Sequence, residues 1–184
     1  MLTATYSFVA INTEQKIARS ALERLRQSLR NTWRDRDHVD SSLLEASLAS
    51  LSEFDAYSAA RKLVQYVIPA MRDTSSETDQ LLAELAALSA AGKRTLIALY
   101  DTLRISLLHG EPDVYDVLTA MESYCDTSAT RLGREDSHLI PLAQRCLSPD
   151  AWFAIGTRCL ADDATHMAQH DAPILARPRT TSLA

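Results

Sequence analysis

The chain is short of histidine, glycine and aromatic residues, and each shortage closes off a class of protein. Five histidines spread over 184 residues are too few for a centre built from imidazoles on several segments. Four glycines, none in a cluster, leave no loop able to cradle a phosphate. Aromatics at 6% beside abundant Ala and Leu favour helices over sheets, and no stretch alternates as a strand does. Cys125, Cys146 and Cys159 are odd in number and widely spaced, with no CxxC. They read as reduced thiols, at least two of them buried, not as a disulfide framework or thiolate metal site. No apolar run approaches the ~18 residues of a membrane span. Met1 to Ala10 has no basic start before an apolar stretch, so a signal peptide is not expected there. A net charge of −5, mixed in sign, gives no nucleic-acid footprint. The expectation is a cytoplasmic protein with neither membrane nor nucleic acid as partner.

What the chain has is helical rhythm. Asn12-Thr-Glu-Gln15 has the form of a capping box, and Ala18, Leu22, Leu25, Leu29 and Trp33 follow on one face, predicting a helix of about six turns. A second helix starts at Asp40-Ser41-Ser42 and carries Leu44, Leu48, Leu51 and Phe54. Its pattern weakens from Asp55 to Ala60 and resumes through Leu63, Val67 and Met71, with Pro69 expected to bend or end the last turn. The third, from Leu81 through Leu85, Leu88, Gly92, Leu96 and Leu99 to Leu103, keeps a strict four-three rhythm up to His109-Gly110. Gly92 sits on its core face in mid-helix, which points to close approach of a neighbour. Pro112 suits the first turn of the fourth, whose stripe runs from Val114, Leu118, Met121 and Cys125 to Leu132, Leu139 and Ala143. Ser148-Pro149 opens a shorter fifth helix through Trp152, Ile155 and Cys159 towards Gln169. Residues 172–184 have no period and read as a disordered tail after one domain over 1–171. The fold expected is all-α, an up-down-up-down four-helix bundle with a short fifth C-terminal helix.

Leu139-Ile-Pro-Leu-Ala followed by Leu147-Ser-Pro-Asp-Ala-Trp152, with Leu43-Leu44-Glu45 through Phe54, Lys62 and Val67-Ile68-Pro69-Ala70-Met71 earlier, resembles the bacterial hemerythrin-like (HHE cation-binding) domain over residues 8 to 165. The resemblance implies a bundle holding two irons between its helices on His and carboxylate side chains. Taken position by position, the ligand set is missing. The opening His-x-x-His falls on Asn12 and Gln15, and the His-His-x-x-Glu of the second helix on Ala59, Ala60 and Leu63. The third-helix positions fall on Ser89 and Lys93, and the fourth-helix His on Arg131, with Glu135 and Asp136 as the acidic pair. No cofactor is therefore expected. Ala60 and Leu63 would fill the vacated volume, while Arg131, four residues before Glu135, with help from Lys93, would supply the positive charge that iron gives elsewhere. The alternative is that these side chains reach solvent.

Two further groups stand out. Asp162, Asp163, His166 and His170 include a trio, Asp163, His166 and His170, on one helical face, a weak metal candidate without partner ligands and more simply a polar surface. Arg24, Arg26, Arg30, Arg34 and Arg36 give the first helix a basic side, either solvated or docked on an acidic partner. No catalytic constellation emerges, so the chain is not expected to be an enzyme. The function expected is a non-catalytic binding or regulatory module with a protein partner or a homodimer as its assembly. The alternatives are a bundle binding haem or another small apolar ligand in its remodelled core, and an iron-dependent sensor of oxygen, nitric oxide or peroxide.

Overall fold

A computed structural model describes residues 2–109 and 113–170, with side chains at 5–105 and 113–165. Every regular element among them is helical. Helix α1 (Leu2–Trp33) begins well before the expected capping box. Asn12 is exposed in mid-helix, and Thr13 Oγ1 donates back to the Val9 carbonyl at 2.8 Å, so the box does not cap. Packing is the reason: Ile11 extends the apolar stripe backwards, and the Phe8 ring lies 4.3 Å from that of Trp152. The early turns are held by a neighbour instead of a cap.

Helix α2 (Ser41–Ala60) starts where the sequence places it. Asp40 accepts from the Ser42 and Leu43 N–H groups at 2.8 and 3.2 Å, satisfying donors that a helix start leaves orphaned. Arg61, with ψ 145, breaks the helix. A π turn over Leu63–Val67 leads into α3 (Ile68–Met71), and Asp73, at φ 58, turns the chain into α4 (Ser76–His109). Gly110 and Pro112, where a cap and a first turn are expected, lie outside the described residues. Helix α5 (Val114–Arg134) is capped by Asp113, which accepts from the Tyr115 N–H at 2.7 Å. Its buried line runs through Val117, Met121, Tyr124, Cys125 and Leu132, leaving Val114 and Leu118 half-buried. A second π turn over Glu135–Leu139 precedes α6 (Ile140–Cys146). Ser148 then accepts from the Ala151 N–H at 3.2 Å to open α7 (Pro149–His170). The tail over 172–184 lies outside the described residues.

Each π turn is followed by Ile-Pro. A proline within a helix removes a hydrogen bond and collides with the carbonyl four residues back. Here the N–H just before each proline reaches five residues back instead, Ile68 to Leu63 and Ile140 to Glu135. The widened turn accommodates the ring, and the helix ends at Met71, two residues after Pro69, so the proline stands in the last turn as expected.

α1 packs on α2, α5 and α7, and α4 on α2 and α5. The buried apolar side chains form two groups. One holds Ala18, Leu22, Leu29, Leu44, Leu48, Leu96, Met121 and Leu132. The other holds Ile11, Leu63, Val67, Leu85, Leu139, Trp152 and Cys159. Arg26 pairs with Asp126, and Arg30 Nε lies 2.7 Å from Glu122 Oε1, so part of the basic side of α1 is spent on α5. No helix among the described residues is long and apolar enough to cross a membrane.

Candidate functional site: a buried ion-pair layer

The two apolar groups meet across a polar layer. On α1 it falls at Gln15, between Ile11 and Ala18. After α2 it falls at Arg61, between Phe54 and Leu63. Where α5 runs into the second π turn it falls at Glu135, between Leu132 and Leu139. All three side chains are buried, Glu135 at 0% exposed and Arg61 at 2%. Arg61 enters because the chain breaks out of helix there, turning its side chain inward while Ala59 and Ala60 stay exposed.

Glu135 is the centre. Arg61 grips it with both ends of the guanidinium, Nη1 to Oε2 at 2.8 Å and Nη2 to Oε1 at 3.1 Å. This forked geometry is the strong form of a carboxylate ion pair. Gln15 Nε2 donates to Glu135 Oε2 at 3.2 Å and to Asp136 Oδ1 at 3.0 Å. Gln15 Oε1 accepts from Arg61 Nη1, so the amide serves both signs of charge. The rest of the guanidinium is held by Ser58, whose carbonyl and hydroxyl accept from Nε at 3.1 Å and Nη2 at 3.3 Å. Arg131 Nε approaches Glu135 Oε1 to 3.0 Å, but its N–H is not aimed at the oxygen. That contact is Coulombic, without a hydrogen bond. Asp136, at the rim, pairs with Arg19.

The sequence-derived positions are therefore partly united. Gln15, Leu63, Arg131 and Glu135 come together, and Ser89 lines the neighbouring cavity. Asn12, Ala60 and Lys93 are exposed and stand outside the layer. Lys93 points outward because Gly92 and Leu96 take the inward register on α4, and Ala60 fills no interior volume. The expected pairing of Arg131 with Glu135 is present, but the principal partner is Arg61. The available signal for Arg61 is the loss of apolar rhythm from Asp55 to Ala60.

These residues do not fit two irons. Among the described residues the one fully buried carboxylate is already engaged by Arg61, Gln15 and Arg131, and no described imidazole stands beside it. Among the described residues no group of three or more His, Cys, Asp or Glu could hold a metal ion. Beside the layer, Asp55, Ser58, Ser89, Gly92, Tyr124, Ser128 and Arg131 line a cavity of about 10 Å³, room for one water at most.

A second polar network fastens α7. Lys62 Nζ lies 2.9 Å from both Glu14 Oε1 and Asp163 Oδ1, and its backbone N–H donates to Glu14 Oε2 at 2.7 Å. Tyr6 donates to Asp163 and Tyr66 to Asp162. Burial works against the Lys62 ammonium, but the bonds to Asp163 and Glu14 outweigh it and raise its pKa. The bond to Asp162, then burial, pushes the Tyr66 hydroxyl up to about 12. Burial, joined by the nearby carboxylates and opposed by Lys62, pushes the Cys159 thiol up to about 11. Of the trio on α7, Asp163 is thus turned to Tyr6 and Lys62, while the side chains of His166 and His170 lie outside the described residues. The chain matches no known family model, no curated protein and no solved structure.

Proposed function

We propose that the chain is a hemerythrin-like up-down-up-down four-helix bundle, with α7 as its added fifth helix, in which an ion-pair layer occupies the position of the di-iron centre. On this reading it is a non-catalytic binding or regulatory module of the cytoplasm, acting through a protein partner. The observation that carries it is Glu135, a fully buried carboxylate whose oxygens are engaged by Arg61, Gln15 and Arg131. Metal entry there would have to displace a forked guanidinium, and no imidazole would replace the lost contacts. The two π turns flanking the layer support the same reading, since such turns concentrate at functional sites and here follow directly on Arg61 and begin at Glu135.

Haem or a comparable apolar ligand in the core is the weaker reading, because the cavity beside the layer is about 10 Å³ and drug-sized ligands need ~300 Å³ or more. Metal analysis of protein purified from iron-supplemented cells, with its absorption spectrum, separates the possibilities. The expected result is no stoichiometric iron and no Soret band on adding haem. About two irons per chain, the complement of a di-iron bundle, with a near-ultraviolet oxo-bridge band would overturn the metal-free reading.

A further inference from the structure

The outer face of α4 has a composition that the fold does not use. Opposite the buried line through Leu85, Leu96 and Leu99, the exposed positions Ala90, Arg94, Ile97, Ala98, Asp101 and Ile105 follow one another along the outer side of the helix. Ile97 and Ile105 are 61% and 53% exposed, with the small Ala98 beside Ile97 and Asp101 between the two. Two large apolar side chains interleaved with one charge of each sign on a single exposed helical face leave apolar area that a partner carrying matching charges can cover.

We propose that this face is a self-association surface, on which a second copy of this chain lies antiparallel about a twofold axis passing between Ile97 and Ala98. A twofold interface requires the face to be complementary to itself, and the order of residues meets that requirement. The axis sets Arg94 opposite Asp101 of the partner subunit, and Asp101 opposite Arg94 of the partner subunit. It sets Ile105 against the small Ala90 of the partner subunit, and Ile97 against Ala98 of the partner subunit. Among the described residues Arg94 makes no ion pair, and Asp101 pairs with Arg104 of its own helix at 3.3 Å, both largely exposed. A parallel arrangement in register would instead bring Arg94 to Arg94, so charge selects the antiparallel one. The strip is about 24 Å long and about 10 Å wide, which falls well below the ~800 Å² per partner of a standard interface. Association is therefore reversible, with a Kd on the order of 10 µM. It does not depend on the metal-free reading of the interior.

Sedimentation equilibrium of the full chain across its working concentrations tests this, with thermal melts confirming that each variant is folded. The wild type is expected to move from monomer to dimer near the stated Kd. Asp101→Arg, which places Arg against Arg twice, is expected to raise Kd at least about tenfold, the effect of ~1.4 kcal/mol. Combining it with Arg94→Asp reverses both charges and is expected to restore Kd to within about threefold of wild type. A wild type that stays monomeric at about 300 µM, even one that co-purifies with a different protein, overturns the proposal. So does an Asp101→Arg variant that associates unchanged, or a double variant that fails to recover.

Discussion

At the scale of single residues, the molecule turns on Glu135 and its two arginines. Removing one member of a buried, hydrogen-bonded ion pair leaves the other charge desolvated, which costs about 3–5 kcal/mol, whereas replacing both with apolar residues of similar volume is often neutral or better. Arg61→Ala is therefore expected to lower unfolding free energy by about 3–5 kcal/mol in urea denaturation. Arg131→Ala, whose guanidinium touches Glu135 without an aligned hydrogen bond and keeps 15% of its side chain exposed, is expected to cost less than half of that. The double change Arg61→Met with Glu135→Leu should recover most of the loss. An Arg61→Ala loss below about 1 kcal/mol would mean that water reaches the layer. Gln15, Arg131 and Glu135 were legible only through the resemblance to the hemerythrin-like pattern, whose ligand positions fall on them; apolar rhythm alone did not single them out. Arg61 was not, because periodicity reports inward direction only while the helix continues, and the chain leaves the helix at that residue.

At the scale of elements, the helices themselves were legible and their internal irregularities were not. Leucine rhythm and the Asp40 and Ser148 starts locate α2, α4 and α7, yet nothing in periodicity distinguishes a π turn from an α turn. Pro69 reads as a bend or an end for that reason, and Pro141 passes unmarked within a continuous rhythm. Gly92 shows the same limit. Its place on the inward face signals a close neighbour, and the neighbour is the Tyr124 ring. A methyl group at Gly92 would meet Tyr124 Cε2 at 3.5 Å and Cδ2 at 3.6 Å, which is ordinary van der Waals contact. The glycine is therefore not sterically obligatory, and it carries the backbone-entropy cost of its type in mid-helix. Gly92→Ala is expected to stabilise by about 0.5–1 kcal/mol, read as a shift in urea midpoint with unchanged slope. A loss of stability instead would show that α4 and α5 lie closer than ordinary contact at this level.

At the scale of the whole molecule, α7 joins the rest through the apolar stack of Phe8 on Trp152 and through the network of Tyr6, Glu14, Lys62, Tyr66, Asp162 and Asp163. No sequence pattern exposes this docking, because its partners stand more than a hundred residues apart for Tyr6 and Asp163 and lie on faces that read as polar surface. The network has a pH signature. The pKa values of Tyr6, Lys62 and Tyr66 are all raised in the folded protein, so the folded state holds these protons more tightly than the unfolded one. The linked stability is then fully present below the unfolded tyrosine value of about 10 and falls as pH rises through the folded values, with Tyr66 at about 12. Ionising Tyr66 places a phenolate against Asp162, and deprotonating Lys62 leaves Glu14 and Asp163 without their shared cation. Melting temperature is therefore expected to be level through neutral pH and to drop between about pH 10 and 12, with tyrosinate absorbance rising as helicity falls. In Tyr6→Phe with Tyr66→Phe the neutral-pH melting temperature should be lower and the alkaline drop shallower, since the substituted rings no longer lose a proton there. An alkaline drop as steep as that of the wild type would place the sensitivity elsewhere, in Tyr124 or the buried thiols Cys125 and Cys159, whose pKa values burial also raises.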